Sequence, residues 1–146
     1  MKRKWSLLAA SLCSLSLVVG LAVAQDPQEM DLEAIMKKVQ KNHGANVKVL
    51  KTAVSYKKGQ KELVTQTEEL TKLVKSTKDF KEPSGKVKGT TQKQWTELVD
   101  SFLKQSEDFT KIAKDAGPDD QTKTKDAYKK VNAQCSACHE VFKKED

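Results

Sequence analysis

Near the end of the chain, Cys135-Ser136-Ala137-Cys138-His139 sets two thiols three residues apart, with an imidazole directly after the second. On a helix that spacing is about one turn, so both sulfurs look to the same side. Thiols so placed can each add to a vinyl group on one edge of a porphyrin. The adjacent imidazole can then serve the iron as its proximal ligand, which makes C-x-x-C-H the attachment signature of c-type haem. The motif therefore predicts one covalently attached haem c, bound through Cys135 and Cys138, with His139 as an axial iron ligand. Three other chemistries use part of the set. A thioredoxin-like pair needs a βαβ setting and a thiolate at a helix N-terminus. Structural zinc wants four ligands, and only His43 is at hand as a fourth. A disulfide would leave His139 without a role.

The other end of the chain fixes the compartment. Lys2, Arg3 and Lys4 precede an apolar stretch from Leu7 to Val19, and Ala22-Val23-Ala24 has the small-x-small pattern that signal peptidase accepts. Residues 1–24 are expected to be a signal peptide cleaved before Gln25, an uncleaved anchor being the alternative. Residues 25–146 form a single domain. Cys13 would leave with the signal, and Leu12 before it argues against a lipoprotein. The product is then periplasmic, with no membrane span after cleavage and only Cys135 and Cys138 as cysteines. In an oxidising compartment two such close cysteines need a disulfide, a metal or a covalent cofactor to account for them. Haem is attached to c-type cytochromes after export, so compartment and motif agree.

Something must hold this motif in place, and the composition points to helices. The 146 residues include six Gly, three Pro and 5% aromatics against 32% charged residues, which disfavours a β sandwich, a disulfide scaffold and a disordered chain. Without the three basic signal residues the balance is 24 basic to 20 acidic, a mild excess spread along Lys-rich helices that does not suit nucleic acid. Four amphipathic segments follow. In the first, roughly 28 to 57, Leu32, Met36, Val39, His43, Val47, Leu50 and Val54 fall on one face; Asp26-Pro27 would start it, Gly59 would end it, and Gly44 weakens it. The second, roughly 60 to 80, aligns Leu63, Thr67, Leu70 and Val74. After a loop at Pro83-Ser84-Gly85, Thr91 caps a third segment, whose face includes Trp95, Phe102 and Phe109. Gly117-Pro118 stops it, and Asp119-Asp120 would cap the fourth, which carries Tyr128, Val131, Cys135, Cys138 and Phe142. The expected fold is all-α, an antiparallel four-helix bundle with haem bound near the C-terminal helix.

With the motif on the last of four helices, the chain resembles the class II c-type cytochromes, the cytochrome c′ family, over essentially its whole mature length. The ending from Cys135 to Lys144 is similar to the family's, although Lys143 stands where many members have arginine. The resemblance implies that the first helix supplies the other haem face. Members with an apolar residue there leave the iron five-coordinate and bind NO or CO; members with methionine transfer electrons. It places Met36 at that position. A thioether on the apolar stripe suits this role independently, being a soft neutral ligand that keeps iron low-spin, although methionine is also a common core filler. Met30 is off the stripe. His43, two turns beyond Met36, is a competing ligand that would give a bis-His site. The expected function is electron transfer by a His139/Met36-ligated haem, not enzymatic turnover. The alternatives are a gas-binding cytochrome c′ and a haem-free helical protein. Lys37, Lys38, Lys41 and Lys48 would face solvent or an acidic redox partner, and a homodimer is compatible with the family resemblance.

Overall fold

A computed structural model describes residues 30–81 and 89–142. The expected signal peptide, the Asp26-Pro27 start, the Pro83-Ser84-Gly85 loop and Lys143 lie outside the described residues. Four helices pack together: α1 (Leu32–Leu50), α2 (Ala53–Ser76), α3 (Gln92–Asp115) and α4 (Gln121–Phe142). Among the described residues there is no strand, and no helix is long and apolar enough to cross a membrane. Successive helices make the broad contacts, α1 on α2, α2 on α3 and α3 on α4, whereas α1 and α4 touch far less. The fold is the expected four-helix bundle.

Local chemistry sets the boundaries, and it corrects two of them. Asp31 caps α1 by accepting from the Ala34 N–H at 2.7 Å, so the helix starts at Leu32, later than expected. The chain then breaks at Lys51-Thr52 and does not run on to residue 57. Thr52 and Ser55 exchange side-chain-to-backbone bonds of 3.0 and 3.1 Å in a reciprocal cap that starts α2 at Ala53. Gly59, expected as a stop, therefore lies inside α2. Thr91 caps α3 as expected, in a reciprocal pair with Gln94. Asp120 starts α4 through its carbonyl, which accepts from Thr124 N–H, while its carboxylate turns back to the Gly117 N–H at 2.8 Å.

The core draws on every helix: Ile35 and Val39 from α1, Leu63 and Leu70 from α2, Phe109 from α3 and Val131 from α4. The α1 face is turned from the expected stripe. Its buried residues are Ile35, Val39, Asn42, Asn46, Val49 and Leu50, while Val47 is 44% and Val54 64% exposed. Two asparagines cause the turn. Asn42 Nδ2 donates to the Gln66 carbonyl at 2.7 Å, and Asn46 Nδ2 donates to Asn42 Oδ1 at 2.8 Å. Amides paired this way can be buried without the full desolvation penalty, and a hydrophobicity pattern does not register them. The expected faces of α2 and α3 are buried as read.

The two helical glycines should respond oppositely to alanine. A Cβ at Gly44 would meet nothing within 4 Å, whereas at Gly59 it would stand 2.9 Å from Val49 Cγ2. Gly44→Ala should gain about 0.5–1 kcal/mol from helix propensity and raise the melting temperature by a few degrees. Gly59→Ala carries the same gain but must displace a β-branched neighbour, at a cost of about 1–3 kcal/mol. Its melting temperature should fall.

Candidate functional site

The site depends on how α1 lies against α4. Gln121 Nε2, at the start of α4, donates to the Leu50 carbonyl at the end of α1 at 2.9 Å. Seven residues further along α4, the Tyr128 phenol is hydrogen-bonded to Nδ1 of His43, seven residues back along α1. The helices are thus antiparallel with a fixed pairing, since seven residues is close to two full turns. A further step of seven brings Met36 level with Cys135. Met36 and Cys135 are both half-buried against the same core cluster. Carried on in this way, the register sets Met36 of the first helix and Cys135 of the last at the same end of the bundle.

That end differs from the other. At the α1 end and α4 start, the bundle is tied by Gln121 to Leu50, by Gln60 to the Ala116 carbonyl, and by Tyr56 to Thr124 at 2.9 Å. At the opposite end, Leu32, Met36, Leu98, Cys135, Cys138 and Phe142 are only partly covered. Trp95 anchors this end, its indole donating to the Thr77 carbonyl at 3.1 Å and meeting Phe142 edge-on at 5.2 Å. A rim of half-covered apolar side chains and thiols, beside the loosest seam of the bundle, suits a flat, largely apolar group.

Cys135, Cys138 and His139 lie in the last turns of one uninterrupted helix. Both thiols are free and half-buried, while the His139 ring is exposed and has no hydrogen-bond partner among the described residues. Burial pushes the Cys135 thiol up. Burial, with the neighbouring Cys135, pushes Cys138 from its ordinary 9.0 to about 11. These neutral thiols near a helix C-terminus are the reverse of the low-pKa thiolate that a thioredoxin-like pair requires. Among the described residues no three His, Cys, Asp or Glu side chains are grouped to hold a metal ion. His43, the one residue at hand as a fourth zinc ligand and the competing haem ligand, has its Nδ1 bonded to Tyr128, one register step of seven residues away from Met36. The donor set fits haem c: two thiols one turn apart, the following imidazole free, and an apolar rim around them.

Met30, set aside in the sequence for lying off the stripe, is itself buried in the core. The partnership of Tyr128 with His43 was missed, because it appears only once the pairing of α1 with α4 is known. A groove of about 590 Å³, lined by Ile112, Thr122, Lys123 and Ala127 among others, is flanked by charged groups and contains none of the motif residues.

A four-helix bundle with C-x-x-C-H on its last helix is the architecture of a class II c-type cytochrome. The family profile described as Cytochrome C' matches residues 31–143, and the chain belongs to that family. It is accordingly a c-type cytochrome, and membership implies covalently bound haem c. Neither the curated proteins nor the solved structures contain a match.

The raised thiol pKa values predict a pH profile for the haem-free chain. Alkylation of Cys138 should be slow at pH 8 and climb as the pH rises through about 11. The unfolded thiol ionises first, so the stability that Cys138 contributes is complete below pH 9 and lost on the way to about 11. Mass spectrometry after timed alkylation, in native buffer and in denaturant, reads both; equal rates in the two would contradict the burial.

Proposed function

We propose that this protein is an exported monohaem electron carrier in which Cys135 and Cys138 bind the haem, His139 is the proximal iron ligand and Met36 the distal one. What supports the reading is the register of the α1/α4 hydrogen bonds, which, carried on by seven residues, sets Met36 level with Cys135. When bound, the haem supplies a one-electron ferric/ferrous couple. The protein's own groups do the rest. Cys135 and Cys138 fix the orientation of the group relative to α4, and His139 follows on the same helix. Met36 presents a soft, uncharged sulfur from a packed helix, favouring the ferrous state and limiting rearrangement between the two states. The apolar rim keeps water from the buried side, which also favours the less charged state.

The remaining parts of the proposal rest on the sequence. The signal-like residues 1–24 support export to the periplasm. Lys41 and Lys48 are exposed on α1 and suit docking to an acidic redox partner, an attraction that salt weakens. Lys37 is paired with Glu33 at 2.6 Å, with both side chains exposed, and contributes less net charge. The role is carriage of electrons and not turnover of a substrate. A homodimer is consistent with the family resemblance. The second reading, a five-coordinate protein that binds NO or CO, is favoured by membership of a family in which an apolar residue at the Met36 position leaves the iron open.

Optical spectra of the holoprotein, oxidised and reduced, with and without CO, separate the two. Methionine ligation predicts a sharp, split reduced spectrum that CO leaves largely unchanged over minutes. That spectrum should persist in His43→Ala and give way in Met36→Ala to a broad, high-spin one that CO shifts at once. A wild-type spectrum already broad and CO-sensitive would place the protein among the gas binders.

A further inference from the structure

Three hydrogen bonds join α1 to α4 among the described residues, and two converge on a single atom. The Tyr128 phenol oxygen is bonded to Nδ1 of His43 and lies 3.3 Å from the His43 carbonyl, to which its proton can be donated. The third, from Gln121 to Leu50, sits two turns further from the cysteines. The phenol has little freedom. Tyr128 is buried, its ring lies 5.2 Å from that of Phe109 on α3 and 5.7 Å from the His43 imidazole. The phenol has one proton, so the protonation of Nδ1 decides which acceptor receives it. With Nδ1 unprotonated, the phenol donates to it; with Nδ1 protonated, the ring donates to the phenol oxygen and the phenol donates to the carbonyl. Toward the cysteines, no further hydrogen bond joins the two helices among the described residues.

We propose that Tyr128 and His43 form a clasp that controls access to the distal face of the haem. They pin α1 to α4 at the foot of the loose seam and so set how far Met36 can move away from the level of Cys135. The lever is short. Met36 stands roughly 10 Å along α1 from His43, so a tilt of about 10° at the clasp carries it about 2 Å, far beyond what a metal–ligand distance tolerates. Both residues are positioning residues: neither is asked to touch the iron. The proposal rests on haem attachment at Cys135 and Cys138, but not on ligation by Met36, because the same seam would gate an exogenous gas in a five-coordinate protein.

The test is the rate of CO association with the reduced holoprotein by flow mixing, read alongside the static spectrum and the melting temperature. Tyr128→Phe keeps the ring packed on Phe109 and removes both bonds. It should speed CO association about tenfold, the shift in an opening equilibrium that the loss of a hydrogen bond produces, with the static spectrum unchanged. His43→Gln, whose amide oxygen can still accept from the phenol, should stay closer to wild type than His43→Ala. Gln121→Leu deletes the other α1–α4 bond and should lower the melting temperature while leaving the CO rate alone. A wild-type rate in Tyr128→Phe, or equal acceleration in Gln121→Leu, would overturn the clasp. Met36→Ala separates the two ideas: if it binds CO as wild type does, ligation by Met36 fails while the clasp is still judged by Tyr128→Phe. A wild-type protein that carries no covalent haem would overturn both.

Discussion

Helices α1 and α4 are the outermost elements in sequence and neighbours in space, and the site depends on where along their lengths they meet. A step of seven residues in opposite directions links Gln121 with Leu50 and Tyr128 with His43, and Met36 with Cys135 by continuation. A slip of one turn would leave the thiols facing a different level of α1 and set another residue opposite Cys135. Three of these six side chains are polar groups at partly buried positions. Directional bonds there fix an offset that apolar packing, tolerant of sliding, would not.

Much of this could be read from the sequence, because the informative features were local. The C-x-x-C-H run, the Thr91 cap, the Gly117-Pro118 stop and the apolar faces of α2 and α3 each depend on residues within a turn or two. The reading failed on α1, where Asn42 and Asn46 occupy the buried face and push Val47 outward. The amide of Asn42 is buried because it has a partner on another helix, the Gln66 carbonyl, and no periodicity in a single segment shows it. The break at Lys51-Thr52 was hidden for a related reason. Its cap uses Ser55 where a glutamate or glutamine is the usual signal, and Gly59, an apparent stop, is instead the place where α2 comes close to Val49.

The electrostatics of the site follow from the same packing. Two half-buried thiols on the core margin stay protonated well beyond neutrality, which suits groups destined for neutral thioethers better than groups meant to act as thiolates. The phenol of Tyr128 is likewise held in its neutral form by burial, so it remains a proton donor to its partners on α1. Among the described residues charge is confined to the surface, as in the pairs Lys78–Asp100 and Lys114–Glu68, where solvent screens it and its contribution to stability is small.

The loose contact between the first and last helices also bears on the order of assembly. The bonds across it close loops of 71 and 85 residues, whereas each of the other three seams joins helices that are consecutive in sequence. Loop-closure entropy makes the longest-range seam the slowest to form. Hairpin-like pairs of helices can zip first, with α4 docked on α3 while its outer flank is still accessible. The surface bearing both cysteines is therefore the last to be enclosed and stays open longest on an otherwise nearly folded chain.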